Sequence, residues 1–324
     1  MSGQVVVDVA GGPHGGAARY RNELERYLAS EGRYDVRVVG AGRYLTADWL
    51  VRRELKALTA TRKVALNNAA FMTPGGQRWT VLQNALHYLT ESEKSEFGAT
   101  VPRSVHAQAV VVRFGAKRSD VLIAPCTAMA ERVITVLPEV RDRVVVRFNP
   151  IAPDWFPRSD VRDPAILCPI IFYPYKRMDE RLAELVAALD AYGDPQVQVW
   201  VTATAAQLPA LLAGHPRMVL LGQLSLEQLC AVWSRCRAVY FPTGIESFGY
   251  PLAEARLSGH PVIARDTPQN REIAGDALCP YPAGDDDALR DAVARALTTE
   301  TSADPAPFDP TRYFTFLLGE NGTR

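Results

Sequence analysis

From residue 5 to residue 297, short β-branched apolar runs alternate with amphipathic helical stretches, a pattern that fits parallel sheets wound with helices and little else. In the first half the strand candidates are Val5 to Ala10, Val36 to Gly40, Val64 to Asn67, Thr80 to Gln83, Val121 to Ala124 and Val144 to Phe148. Helix candidates sit between them at Ala17 to Ser30, Leu50 to Ala60, Arg103 to Ser119 and Thr127 to Leu137. The second half restarts the same rhythm. Strands are expected at Ile166 to Tyr173, Gln196 to Thr202, Val219 to Leu221, Ala238 to Phe241 and Val262 to Ala264. Helices are expected at Asp179 to Leu189, near Leu208, and at Leu226 to Cys236, Tyr250 to Ser258 and Asp287 to Leu297.

A chain of 324 residues is long enough for two such domains, each with its own core. The stretch NPIAPDWFPRSDVRDPA, from Asn149 to Ala165, carries four prolines and neither a helical nor a strand period, so it is the candidate linker. The expected division is residues 1–155, 156–304 and a C-terminal tail, 305–324. That tail holds Phe308, Tyr313, Phe314, Phe316 and Leu317 in a region with no helix or strand partner of its own, and is expected to pack back on a domain.

With 48% hydrophobic and 22% charged residues the composition is that of a globular protein, not of a disordered chain. No window reaches the roughly 18 apolar residues of a membrane span, and MSGQVVVDVAGG reads as strand and loop, not as a signal peptide. A cytoplasmic protein is expected. Five scattered cysteines without CxxC spacing indicate neither a disulfide framework nor a zinc site. Residues 1–150 carry 21 Lys+Arg against 14 Asp+Glu and the remainder 15 against 22. A basic acceptor-binding half would show such an asymmetry, and so would an ordinary surface.

The most informative segment is FPTGIESFGYPLAEARLSGHPVIA, Phe241 to Ala264. Pro251 suits the first turn of a helix, where its missing N–H would be unpaired anyway, and Gly259 suits the residue just past the end. Thr243, Gly244, Ser247 and Gly249 leave the amides ahead of the helix open, and these together with the helix dipole favour an anion. Glu246 precedes the helix and Glu254 lies inside it, roughly 7 Å further on at the α-helical rise. Two carboxylates flanking a phosphate position can each accept from a pair of hydroxyls, one on a sugar and one on a ribose. A solvated loop glutamate and a surface helix glutamate are the plainer alternatives.

This segment resembles the Glu-x7-Glu motif of the retaining glycosyltransferases of family GT4, whose fold is GT-B. The similarity runs through residues 221 to 297 and more weakly along the whole chain. It implies two Rossmann-like domains facing each other across a cleft. It also implies that Glu246 contacts the donor sugar, that Glu254 contacts the ribose, and that Ser247, Phe248, Gly249 and Tyr250 hold sugar and phosphate. Gly222, in LGQLSLEQL, joins the donor-binding set.

Lys176, in FYPYKRMDERL, resembles the family's lysine that neutralises the departing diphosphate. Relatives place an arginine a few residues earlier, and Pro169 to Tyr175 contains none, so Arg177 is the candidate substitute. A charge pair with Asp179 or Glu180 is the alternative for both cations. At the end of the fourth strand, where many relatives carry a histidine, Gln83 and Asn84 stand. Asn84 can hydrogen-bond the sugar but cannot act as a base at neutral pH. His87 and His14 are candidates to replace that histidine, and a surface position is the simpler reading for His87.

The loop Gly11 to Arg19, GGPHGGAAR, follows a strand and opens a helix. It lacks the acid at the end of the next strand that a nicotinamide dinucleotide would require, because VRVVG runs into Ala41 and Gly42. It resembles instead the family's glycine-rich turn facing the donor phosphate, which brings in Gly15, Gly16 and Arg19; a purely structural strand-to-helix turn is the alternative for each glycine. Asp285 to Asp287 precede a helix, not follow a strand, so they read as a helix cap and not as a metal-binding DxD. The basic run Leu50 to Lys63 reads as a solvated helix face, or as a contact with an anionic membrane surface at its inner face.

The expected activity is a hexosyl-type, metal-independent transfer with retention, from a nucleotide-diphosphate sugar to a glycan, lipid-linked sugar or small natural product. No cofactor, metal or nucleic-acid partner is expected. An epimerase of the same fold and a non-catalytic nucleotide-binding relative are the competing readings. Donor base, acceptor and oligomeric state are not encoded in any motif.

Overall fold

The computed structural model describes residues 4–12, 16–33 and 35–319. The chain divides into two compact units, Met1–Ala152 with Phe308–Arg324, and Pro153–Pro307. The first unit contains β1 (Val5–Asp8), α1 (Gly16–Glu31), β2 (Val36–Val39), α2 (Ala47–Lys56), β3 (Arg62–Ala65), β4 (Gln77–Val81), α3 (Glu91–Phe97), α4 (Arg103–Ala116), β5 (Val121–Ala124), α5 (Thr127–Val136) and β6 (Val144–Val146). The second contains β7 (Ala165–Cys168), α6 (Met178–Tyr192), β8 (Gln198–Val201), α7 (Ala210–Ala213), β9 (Met218–Leu220), α8 (Leu226–Arg235), β10 (Ala238–Phe241), α9 (Tyr250–Ser258), β11 (Val262–Arg265), α10 (Pro268–Ala274), β12 (Leu278–Tyr281) and α11 (Asp286–Thr298). The chain then returns to the first unit as α12 (Pro310–Leu318).

In the first unit six parallel strands run in the order β2-β1-β3-β4-β5-β6. Alternate side chains serve opposite faces, as the pleat dictates. Val5, Val7, Val64 and Val81 pack under Tyr20, Leu24 and Tyr27 of α1, while Val6 and Ala65 pack with Trp49 and Phe71. The tail, expected only to pack back on a domain, forms a helix. Asp309 caps α12 by accepting from Thr311 N at 2.8 Å, Pro310 opens it, and Tyr313, Phe314, Leu317 and Leu318 join the α1 side of the core.

The second unit has six parallel strands in the order β12-β11-β10-β7-β8-β9. This is the doubly wound arrangement in which the chain leaves β7 toward one edge of the sheet and β10 toward the other. The expected linker is only partly loose: Ser159 N donates to Ser234 O at 3.1 Å and Asp163 N to Arg235 O at 2.7 Å, which ties its second half to the end of α8.

The basic run also departs from expectation. α2 starts at Ala47 because Thr46 caps it, accepting from Trp49 N at 3.2 Å, and it stops at Lys56. Arg53 is buried against Asp8 at 2.6 Å, and Lys63 is buried with its ammonium on Thr73 O, Thr73 Oγ1 and Pro74 O. The run is thus not one solvated face, because two of its five cations are internal ties.

Candidate functional site

Where the winding of a doubly wound sheet reverses, the loops after the two flanking strands part and leave a crevice at the carboxyl edge. In the second unit those strands are β7 and β10, and they carry the two leading candidates on their following loops. After β7, a tight turn at Pro174–Lys176 ends in Arg177, which adopts a left-handed backbone with φ 48° before α6 begins. Lys176 leaves this turn with Nζ 2.6 Å from Glu246 Oε1, on the loop after β10. Both side chains are mostly buried, 12% and 23% exposed. The rings of Tyr173 and Tyr175 stack beside them, with centroids 5.6 Å apart. Burial first and the Glu246 charge second push the Tyr175 phenol well above its usual range.

Arg177 lies apart from this pair. Its guanidinium is exposed and engages Glu180, donating from Nε to Oε1 at 2.8 Å, so the surface ion pair considered from the sequence is the one formed.

The helix after Glu246 begins and ends as its punctuation predicts. Gly249 is the N-cap with φ 84°, a conformation a side chain would strain. An added Cβ would also stand 3.0 Å from Leu252 Cδ1 and 3.1 Å from Phe241 Cε1. Pro251 sits in the first turn and Gly259, with φ 70°, closes the helix. Phe248 is buried and meets Tyr250 edge-on at 5.4 Å. Glu254 is fully buried, which overturns its reading as a surface helix residue. Ser247 is half-buried on the same loop. Gly222, with φ 69°, follows β9 at the same edge of the sheet and donates its N–H to Ala203 O at 3.0 Å. Gln269, which no motif singled out, donates from Nε2 to Glu246 O at 3.2 Å. Its signal was the Thr267-Pro268 pair that starts α10.

In the first unit His14 and Gly15 lie outside the described residues. Gly16 opens α1 and Arg19 is half-buried in its first turn. Asn84 begins a short 3-10 turn, accepting from Leu86 N at 3.0 Å, with its Nδ2 3.4 Å from His87 Nε2. His87 is buried, not a surface residue. Burial above all, and Arg113 nearby, lower its pKa to about 4, against a favourable bond from Gln108. Asp285 caps α11 through Ala288 N at 2.9 Å, as the sequence suggested, but a strand, β12, does precede it, against the sequence reading. Among the described residues no group of three His, Cys, Asp or Glu side chains could hold a metal ion, and no helix is long and apolar enough to cross a membrane.

Residues 164–299 match the family model of glycosyl transferases group 1, and this span contains Lys176, Glu246, Glu254 and Gln269. Solved structures similar to the chain extend over both units. Anabaena Alr3699/HepE, in complex with UDP and glucose, is 17% identical over 98% of this chain and 100% of that one, with a TM-score of 0.68. WaaG, a glycosyltransferase involved in lipopolysaccharide biosynthesis, is 15% identical over 96% and 95%, with a TM-score of 0.66. Sucrose-phosphate synthase from Thermosynechococcus elongatus is 16% identical over 97% and 94%, with a TM-score of 0.62. At these identities the likeness establishes the fold, two parallel-sheet Rossmann-like domains of the GT-B type. A sequence search of curated proteins found no match.

Proposed function

We propose that the protein is a retaining, metal-independent GT4 glycosyltransferase that moves a sugar from a nucleotide-diphosphate donor to a hydroxyl-bearing acceptor. The observation that carries this reading is the meeting of Lys176 and Glu246 at the reversal point of the second sheet, on the loop that opens α9. A diphosphate at that helix start gains the dipole and the amides, and draws Lys176 to itself. Charge then develops on the leaving diphosphate, and Lys176 with the Gly249 amide stabilises it in place of a metal. Glu246 and Glu254 complete the Glu-x7-Glu motif, with Glu246 accepting from donor-sugar hydroxyls and Glu254 from the ribose. Attack comes from the front face, with the leaving phosphate oxygen taking the acceptor's proton.

Support for UDP as the nucleotide comes from Anabaena Alr3699/HepE, whose solved complexes contain it. The competing epimerase would form product from the nucleotide-sugar alone. The deciding experiment incubates the protein with UDP-, GDP-, ADP- and dTDP-sugars, with and without a hydroxyl acceptor and with a metal chelator throughout. Acceptor-dependent transfer in chelator, with the anomeric configuration kept by NMR, is expected. Strict dependence on a divalent ion, or turnover without acceptor, contradicts the proposal.

One observation favours peripheral membrane contact as well. Val51, Leu55 and Leu58, spaced four and three residues apart along one side of α2 and its exit, are 65%, 67% and 54% exposed, beside exposed Arg52 and Lys56. Such a face fits an anionic lipid surface.

A further inference from the structure

The loop between Glu246 and Gly249 is held by one side chain from the next helix. Gln269, in the first turn of α10, directs Nε2 to the carbonyl of Glu246 at 3.2 Å and to that of Phe248 at 3.5 Å, the second at the limit of hydrogen bonding. α10 is itself fixed: Thr267 Oγ1 accepts from Asn270 N at 3.1 Å, and Asn270 Nδ2 donates to Arg265 O at 2.8 Å.

In a trans peptide the C=O and the following N–H point to opposite sides. Carbonyls 246 and 248 turned toward α10 therefore turn the N–H groups of Ser247 and Gly249 away from it. Those amides stand at the start of α9, at the positive end of its dipole. An amide side chain suits this task because its NH2 carries two hydrogens, one for each carbonyl, where a carboxylate has none.

We propose that Gln269 is a positioning residue for the donor diphosphate: it sets the two peptide planes whose N–H groups receive the phosphate oxygens. The inference rests on the nucleotide-sugar reading given above and assigns the geometry of that site to a residue outside the Glu-x7-Glu segment.

The test compares wild type with Gln269→Leu, which keeps the bulk, and Gln269→Glu, which keeps the shape; both lose the donor. Binding of UDP, GDP, ADP and dTDP and of the four parent nucleosides is measured by calorimetry or ligand-observed NMR, alongside melting of the ligand-free proteins. For the nucleotide that wild type prefers, both variants should bind the diphosphate about tenfold more weakly, the equivalent of one charge-assisted contact. They should bind the nucleoside as wild type does and melt at the wild-type temperature. A purely structural role would lower both affinities together. Parallel loss, or unchanged diphosphate binding in both variants, overturns the assignment and leaves the proposed function standing. Wild type that binds none of the four diphosphates overturns the proposed function, and the assignment with it.

Discussion

The ammonium of Lys176 lies 2.6 Å from Glu246 Oε1 although 70 residues separate the two along the chain. Their strands, β7 and β10, are adjacent, and the chain departs from them in opposite directions. Each charge thus satisfies the other, and under the proposed function a diphosphate would have to compete with Glu246 for Lys176.

Opposite effects on nucleotide binding follow for the two partners. Lys176→Ala should weaken nucleoside diphosphate binding by roughly 10- to 100-fold, the loss of a charge-assisted contact. Glu246→Ala should bind the diphosphate at least as well as wild type, because it frees Lys176, yet lose transfer through its missing contact to the sugar. Titration calorimetry and a turnover assay on both variants check this, and equal weakening in both would contradict it.

Gly249 should not tolerate a side chain. Gly249→Ala combines a positive φ with contacts at 3.0 and 3.1 Å, so it should lower stability by roughly 1–3 kcal/mol and impair nucleotide binding. Gly244→Ala is the control on the same loop, where an added Cβ meets nothing within 4 Å, and should leave the melting temperature unchanged.

The extent to which the sequence foretold this site follows from how local each signal was. α9 was predicted to the residue, Tyr250 to Ser258, because proline and glycine mark its ends. The same kind of mark went unread at Thr267-Pro268 and Asp309-Pro310, which start α10 and α12, and at Thr90, whose capping box with Glu93 starts α3. β12 escaped because Pro280 argues against a strand, yet β12 is at the sheet edge, where a missing N–H is tolerated. Burial of His87 and Glu254 depends on partners distant in sequence, and nothing local could reveal it. The pairing of Lys176 with Glu246 needed the strand order.

Acid should destabilise the protein through two histidines. Burial above all depresses both, His87 to about 4, with Arg113 adding to it, and His260 to about 3, with Arg158 and Arg162 adding to it and Glu300 opposing. His260 Nδ1 lies 2.8 Å from Ser258 Oγ, which donates to Glu254 O at 2.7 Å; the imidazole therefore donates from Nδ1, and a proton on the buried Nε2 would lack an acceptor. A lowered histidine pKa means that the unfolded chain takes up the proton first. Stability is full above 6.5 and falls as pH drops toward the folded values, by roughly 2 kcal/mol per histidine at pH 5. Melting temperatures at pH 7, 6 and 5 should decline, and His87→Gln or His260→Gln should flatten the slope. A level profile in wild type would refute this.

The exposed side of α2 makes a separate claim. Cosedimentation with phosphatidylglycerol vesicles should exceed that with phosphatidylcholine and fall with added salt. Leu55→Asp with Leu58→Asp, both at exposed positions, should reduce it by about tenfold without changing the fold, given the cost of charge in the apolar interface. Undiminished binding by that double variant would rule the face out.

The central claim is tested most directly by a crystal structure with the preferred nucleotide-diphosphate sugar bound. The diphosphate is predicted at the start of α9, with Lys176 drawn from Glu246 onto a phosphate oxygen and Glu246 on the sugar hydroxyls. A diphosphate bound elsewhere, with the Lys176–Glu246 pair intact, would contradict the account.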